Sequence, residues 1–205
     1  MPHQIREFKL KGLDGISENQ ISQHRDILYA GYVNKLNEIE ERLKNADITK
    51  ANQIFSDLRA LKSDETFALN GVILHELYFG NLGGKGTAAS GGKLADLIAR
   101  DFGSTGQWTE NFKACGMAAR GWVILGISTY DNRLHNYCLD THNQNVPVSC
   151  IPLLVMDVYE HAYVIDYGVK RPPYIEAFMK NIDWSAAAER LEKAPLERIA
   201  KTAAS

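Results

Sequence analysis

The chain has 205 residues, an apolar fraction of 45% and a formal net charge of −2 from 23 basic and 25 acidic residues. Such balanced charge favours neither a nucleic-acid-binding surface nor an acidic solvating tail. No stretch approaches the roughly 18–20 apolar residues that a membrane span requires, so we expect neither nucleic acid nor a membrane as partner.

The N-terminus and the cysteines bear on the cellular compartment in which the protein is expected. Residues 1–4 show no positively charged start followed by an apolar run, so no secretory signal is predicted. The three cysteines, at positions 115, 138 and 150, form neither a CxxC pair nor a disulfide framework. They are typical of small buried residues in a reducing compartment, and we expect a cytoplasmic protein.

The first half of the chain carries helical periodicity. Apolar residues recur every three or four positions over residues 17–45, which predicts one long amphipathic helix. A second helix is predicted over residues 54–61 and a third over 66–82, with a break at Ser63-Asp64.

The second half begins after the glycine-rich segment 83–92, which is typical of a surface linker and lacks the GxxxxGK[ST] pattern of a phosphate-binding loop. Three apolar or β-branched runs separated by turn residues predict an antiparallel meander. The predicted helices are 93–101, 109–119, 174–179 and 186–201, and the predicted strands are 122–130, 134–139 and 151–156.

These elements predict an α+β protein. We expect an N-terminal domain over residues 1–84 that is a helical hairpin. We expect a C-terminal domain over residues 85–205 with a three-stranded antiparallel sheet, flanking helices and the metal-binding residues.

The candidate functional residues include His75, Asp157 and His161. His75 lies on an apolar helix face, where a histidine is more often a core residue than a ligand. Asp157 ends an apolar run, and a buried carboxylate costs several kcal/mol unless it is paired or ligated. His161, four residues on, is able to turn back toward it. The pattern fits half of a metal site, and an ion pair at the strand end would give the same pattern.

The motifs around these residues resemble those of the iron/manganese superoxide dismutases. Residues 152–163 read PLLVMDVYEHAY and residues 170–174 read KRPPY, similar to that family's DxWEHAY and Arg-Pro-x-Tyr. His24 stands eight residues before YVNKLN, and His75 is followed by LYF after one residue. These resemble the family's H-x7-YVxxLN and H-x-[LF]-[FY]-W, and the likeness extends in order over about residues 7–190.

The resemblance implies one manganese or iron ion per chain and superoxide as the substrate. It also implies a two-step cycle in which the ion is reduced by one superoxide, releasing oxygen, and reoxidised by a second, releasing hydrogen peroxide. Three imidazoles and a carboxylate suit either ion, although the set alone would also accept zinc. The implied ligands are His24, His75, Asp157 and His161.

Tyr32 and Gln144 are the catalytic residues that the resemblance implies, tuning the ion and delivering protons. Gln144 aligns with the glutamine that manganese members supply from the sheet. Gly71 stands where iron members usually carry theirs. These two positions favour manganese. The preference is slight, because residues 151–157 look more like iron members.

Further positions follow from the same resemblance. Glu160 is expected to bond across a two-fold interface to the ligand His161, in a homodimer or tetramer. Arg171 is expected at the substrate entrance, where positive charge steers an anion. Trp122 and Tyr159 are expected beside the ligands.

The chain departs from the family at several positions. Leu28 and Val164 replace a histidine and a tyrosine that share one hydrogen bond, and losing both partners costs little. The family's tryptophans are replaced at three positions, namely Phe79, Ile124 and Tyr159.

Two functions therefore compete. The first is a working dismutase, and the second is a weakened or inactive relative that serves as a structural or interaction protein. Retention of all the implied ligands favours the first. A mononuclear iron oxygenase is less favoured, because such sites use two histidines and one carboxylate with open positions.

Overall fold

The structure is a computed structural model that describes residues 1–86 and 91–195, to which all statements on the fold refer. It is an α+β protein with helices in its first half and a sheet flanked by helices in its second, as predicted. The helices are α1 (Glu18–Ser22), α2 (Ala30–Lys44), α3 (Asp57–Phe79), α4 (Lys93–Phe102), α5 (Thr105–Ala118), α6 (Val164–Tyr167), α7 (Arg171–Lys180) and α8 (Trp184–Lys193). The strands are β1 (Trp122–Ser128), β2 (Leu134–Leu139) and β3 (Cys150–Asp157).

The long first helix is confirmed, with one irregular part. Ser17 caps it, its side chain accepting from the Gln20 backbone N–H. The π-helical segment Gln23–Tyr29 joins α1 to α2 without a break and carries the buried His24. A widened turn of this kind is rare and is found mostly at functional sites.

Helix α3 corrects one prediction, since the expected break at Ser63-Asp64 does not occur. Both residues are exposed on a continuous helix, where polar side chains do not interrupt the backbone ladder. The helix begins where the Ser56 side chain accepts from the Arg59 backbone N–H at 3.2 Å. Residue 54 therefore lies outside it.

The three-stranded antiparallel sheet is confirmed, but its predicted meander order is wrong. The strand order is β2-β1-β3, so β3 pairs with β1 rather than with β2. The burial of β1 at every residue explains the central position, while β2 is half-buried over most of its length, as an edge strand can be. The pairing sets Trp122 directly opposite Asp157.

The remaining helices differ from prediction mainly at their ends. Helix α5 begins four residues early because Ser104 caps it, and α7 begins at Arg171 with proline in its first turn. The helix predicted over 186–201 is observed as Trp184–Lys193, and the rest of that prediction extends beyond the described residues. No described helix has both the length and the apolarity to cross a bilayer.

The two halves share one hydrophobic core, and buried amides join them beside the strand β3. The Gln20 side chain donates to the His161 carbonyl at 2.6 Å and accepts from the Ile165 backbone N–H at 3.1 Å. The Asn81 side chain donates to the Val155 carbonyl at 2.8 Å. These bonds tie the helical half to the segment that carries Asp157 and His161.

Candidate metal centre

Four side chains from separate elements converge at one point. His24 comes from the π-helical segment, His75 from α3, Asp157 from the end of β3 and His161 from the turn after it. One candidate ligand atom from each lies within 4.8 Å of the other three. The side chains of His24, His75 and Asp157 are fully buried, and that of His161 is 27% exposed.

The distances centre on one carboxylate oxygen. Asp157 Oδ2 lies 3.1 Å from His24 Nε2, 3.8 Å from His75 Nε2 and 3.0 Å from His161 Nε2. Within the described residues, both ring nitrogens of His24 and Nε2 of His75 are buried without a hydrogen-bond partner. Buried polar atoms are rarely left unpaired, so this group fits a cation among three imidazoles and a carboxylate.

Hydrogen bonds behind the ligands orient them. His75 Nδ1 lies 2.6 Å from the Gly71 carbonyl, so Nδ1 donates and Nε2 keeps its lone pair toward the group. The Tyr159 backbone N–H donates to Asp157 Oδ1 at 2.9 Å, which leaves Oδ2 facing the histidines. The Tyr174 hydroxyl donates to the Asp157 carbonyl at 2.6 Å and fixes the end of the strand.

The electrostatics prepare the group to bind a cation. Burial lowers the pKa of His24, and that of His75 to about 3, so both rings are neutral at physiological pH. Burial would raise the pKa of Asp157, but the charge and hydrogen bond of His161 hold it well below its ordinary value. Burial would lower the pKa of His161, and Asp157 outweighs burial and raises it. Neutral imidazoles and an ionised carboxylate are the forms that ligate metals.

Aromatic rings close the space around the ligands. The Trp122 ring meets the His75 ring edge-on, with centroids 5.0 Å apart and an interplanar angle of 86°. The Tyr159 ring stacks on His161 at 5.2 Å, and its hydroxyl reaches the Asp140 carbonyl at 3.4 Å. Both residues thus lie beside the candidate ligands.

His142, rather than Gln144, lies next to this group. The Gln144 side chain is exposed, in a turn whose backbone pairs residues 141 and 144. His142 is 1% exposed and accepts from Trp122 Nε1 at its Nδ1, at 2.9 Å. Its Nε2 lies 2.7 Å from the Tyr32 hydroxyl. The turn after β2 directs position 142 inward and position 144 outward, which corrects the expectation for Gln144.

His142 was missed in the sequence because the resemblance drew attention to the amide two residues later. The signal for it was its position three residues after the predicted strand 134–139, in a loop, where residues that contribute to a site are common.

Tyr32 packs tightly against Gly71. A Cβ atom at Gly71 would lie 2.7 Å from Tyr32 Cδ1, closer than real contacts allow. Any side chain at position 71 would therefore push the Tyr32 ring away from His142. The glycine keeps the tyrosine hydroxyl where His142 reaches it.

Arg171 and Glu160 differ in how the fold holds their side chains. Arg171 is anchored within the fold, donating to the Ala119 carbonyl at 2.7 Å, the Gly116 carbonyl at 3.2 Å and the Tyr163 hydroxyl at 3.3 Å. Glu160 is exposed beside His161. A single chain thus leaves the Glu160 carboxylate open to solvent or to another molecule.

The metal-free protein is expected to lose stability as the pH falls from about 6.5 toward 4. Burial lowers the pKa of His75 to about 3 and that of His142 to about 4, so the unfolded chain takes up these protons first. The raised pKa of His161 opposes this loss. Its contribution to stability is present below the pKa of the unfolded chain and is lost as the pH rises through the higher pKa of the folded protein.

Urea unfolding of metal-free wild type and His142→Gln across this pH range measures the effect. The variant lacks one of the histidines whose pKa burial lowers, so its midpoint should fall less steeply with acidification. Equal slopes for the two proteins would contradict the assignment of His142 as a neutral buried ring.

Comparisons with known proteins cover nearly the whole chain. A family model described as the alpha-hairpin domain of iron/manganese superoxide dismutases matches residues 7–83, and the model of the C-terminal domain matches residues 90–190. The "superoxide dismutase [Fe]" of Aquifex pyrophilus is 50% identical over 192 residues, or 91% of this chain and 89% of that protein. The "superoxide dismutase [Fe]" of Aquifex aeolicus is 49% identical over the same shares. The "superoxide dismutase [Mn] 2" of Haloferax volcanii is 38% identical over 179 residues, or 87% of this chain and 88% of that protein.

Proposed function

The chain belongs to the iron/manganese superoxide dismutase family, and from this we propose that it disproportionates superoxide to oxygen and hydrogen peroxide at one mononuclear iron or manganese ion. The observation that carries the proposal is the convergence of the buried ligand atoms within 4.8 Å. The proposed ligands are His24, His75, Asp157 and His161.

The bound ion supplies one-electron oxidation and reduction, and the side chains around it handle protons. The indole N–H of Trp122 only donates, so His142 Nδ1 accepts and the proton of the neutral ring sits on Nε2. Nε2–H then donates to the Tyr32 oxygen. The hydroxyl proton of Tyr32 is thereby left free for an acceptor on the site side.

Tyr32 keeps that proton at neutral pH. Burial, together with the negative charge of Asp157, raises the pKa of its hydroxyl. A phenol held protonated and hydrogen-bonded from behind can give a proton to a reduced oxygen species and recover it from water. We therefore propose Tyr32 as the proton donor and His142 as the residue that positions it.

A groove of about 480 Å³ is bordered by the half-buried Tyr32. Its charged lining is balanced, with Lys35 and Arg42 against Glu38 and Asp64, and Lys35 is ion-paired with Glu38. The groove therefore offers a small substrate a way to Tyr32 without a net positive field of its own. Arg171, whose guanidinium donates to backbone carbonyls, is proposed as the fixed positive charge that attracts the anion.

The metal is either iron or manganese, and we propose iron first. Gln144, the residue that favoured manganese, has an exposed side chain. The Aquifex relatives, at 50% and 49% identity, are both named for iron. The manganese-named Haloferax protein is 38% identical.

A homodimer or tetramer is proposed for the same chain. Apolar side chains lie exposed in the segment that follows the exposed Glu160, with Val164 at 42% and Ile165 at 44%. Exposed apolar groups next to a site are typical of an association surface. Glu160 is proposed to reach His161 of the second copy. Sedimentation velocity of the metal-loaded protein tests the assembly, and a protein that remained a monomer would contradict the proposal.

An inactive structural or interaction protein is the competing function. It requires the buried ligand group to persist without its ion, although unpaired buried nitrogens and a buried carboxylate destabilise a fold. An oxygenase is disfavoured because a third histidine occupies a position that such sites leave open.

Elemental analysis of the purified protein combined with a superoxide-decay assay tests the proposal. We expect about one iron or manganese ion per chain and rapid decay of superoxide. Unfolding the protein with a chelator should abolish this activity, and refolding with the same metal should restore it. Zinc alone, or a metal-loaded protein that leaves superoxide decay at its spontaneous rate, would support the interaction protein instead.

A further inference from the structure

The interface between helix α5 and strand β2 is built from matched polar pairs. Trp108, Asn111 and Cys115 lie one and two turns apart on one face of α5. Asn136 and Cys138 lie two residues apart, on one face of β2. Trp108 Nε1 donates to Asn136 Oδ1 at 3.2 Å, and Asn136 Nδ2 donates to Asn111 Oδ1 at 2.8 Å. These bonds set the helix in register with the strand.

The next pair in this register is Cys115 with Cys138. The Cys138 thiol donates to the Cys115 carbonyl at 3.7 Å, and the Cys115 thiol donates to Asn111 Oδ1 at 3.8 Å. Both are free and only partly buried. The Cys138 sulfur thus touches the backbone of Cys115, on two elements that the polar pairs hold in register. This closeness favours the short sulfur–sulfur approach that a disulfide requires.

We propose that Cys115 and Cys138 form a reversible intramolecular disulfide when the protein meets hydrogen peroxide. The Cys138 thiolate attacks one peroxide oxygen, the O–O bond breaks, and Cys138 becomes a sulfenic acid as hydroxide leaves. The Cys115 sulfur then displaces the sulfenic oxygen, which leaves as water with the Cys115 proton. Two thiols and one peroxide give one disulfide and two waters.

The roles of the two cysteines follow from their surroundings. Burial and the neighbouring Cys138 raise the pKa of Cys115 to about 12, so Cys115 keeps its proton. Once Cys138 has become a neutral sulfenic acid, its charge no longer opposes the ionisation of Cys115, so Cys115 gives its proton to the departing hydroxyl as its sulfur attacks. Cys138 is therefore the attacking residue and Cys115 the resolving one.

Cys150 provides an internal control. It lies on β3, at the opposite edge of the sheet from Cys138, and burial raises its pKa to about 12. Its sulfur packs against Gly126, where even an added Cβ would lie 2.5 Å away. We expect Cys150 to stay reduced under conditions that link the other two.

The cross-link would stiffen one wall of the metal centre. Cys115 precedes the carbonyls of Gly116 and Ala119 that hold Arg171. Cys138 pairs with Val123, the residue after Trp122. A closed loop of about 24 residues is expected to raise the melting temperature by roughly 5–10 °C, because it restricts the unfolded chain.

The test adds hydrogen peroxide in small molar excess to the reduced, metal-loaded full-length protein. We expect loss of two of the three free thiols, a mass decrease of about 2 Da, and a proteolytic fragment pair linked through Cys115 and Cys138. Dithiothreitol should restore the thiols and the original melting temperature. Because peroxide is supplied directly, this outcome does not depend on the proposed dismutase activity.

Matched variants decide between a specific link and general oxidation. C150S should form the link as the wild type does, whereas C115S and C138S should not, and C115A repeats the test should C115S fold poorly. Met117, which is 52% exposed, reports the oxidant dose by its sulfoxide. Thiols unchanged at doses that oxidise Met117, overoxidised Cys138 without a link, or a disulfide between chains would each overturn the proposal.

Discussion

His75→Ala is expected to leave the purified protein with little bound iron or manganese and with superoxide decay at the spontaneous rate. The substitution removes the ligand whose Nε2 is fully buried without a partner in the described structure. It also removes the ring that holds Trp122 edge-on at 5.0 Å. The loss of one of the proposed ligands should reduce metal affinity by well over the roughly 10–100-fold that outer hydrogen-bond partners contribute.

Metal content by elemental analysis, metal-dependent melting and the superoxide assay measure this effect. The wild type should melt at higher temperature when loaded, because an ion bound to the folded state alone stabilises it. The variant should melt at the same temperature with and without metal. His135→Ala is the matched control, since His135 is partly exposed and bonds to Asp131 at 2.9 Å. A His75→Ala protein that kept one ion per chain would remove His75 from the ligand set.

The part of the site that sequence predicted best is local. Asp157 and His161 lie four residues apart, so a strand end followed by one turn is enough to place them near each other. His24 and His75 were predicted only through resemblance, because nothing in a helical pattern says which buried face meets which strand. Their convergence depends on buried amides such as Gln20, whose partners at residues 161 and 165 are distant in sequence.

The sheet order shows the same limit at the level of the fold. Three runs with alternating or continuous apolar character predict strands, and all three are present. Their order depends on which run is buried on both faces. β1 is buried throughout and takes the centre, so β3 crosses over to pair with it. Turn residues between neighbouring strands favour a meander and carry no information about that crossing.

The apolar replacements at positions 28 and 164 fit the structure. Leu28 is half-buried in the groove that leads to Tyr32, and Val164 is 42% exposed at the start of α6. Neither apolar side chain carries a polar atom that would need a partner. Losing both partners of a hydrogen bond together is expected to cost little. The proposed proton path then has fewer polar groups to use, and it depends on Tyr32 and His142.

His142 is therefore the most informative residue to substitute outside the proposed ligands. His142→Ala is expected to lower the superoxide-decay rate by roughly 10–100-fold, because Trp122 Nε1 would lose its acceptor at 2.9 Å and Tyr32 the donor at 2.7 Å. Gln144→Ala should stay within about twofold of the wild type, since the side chain is exposed. Stopped-flow assays on proteins matched for metal content measure both variants.

His142→Gln separates hydrogen bonding from packing at this position. An amide offers one acceptor for Trp122 and one donor for Tyr32, so it should recover much of the rate that alanine loses. The reduction potential of the bound metal is a second readout, expected to move in His142→Ala and to stay near the wild-type value in Gln144→Ala. A purely structural role would lower the melting temperature and leave the potential unchanged. Full activity in His142→Ala together with loss in Gln144→Ala would return the role to the amide, and it would require the turn at 141–144 to invert.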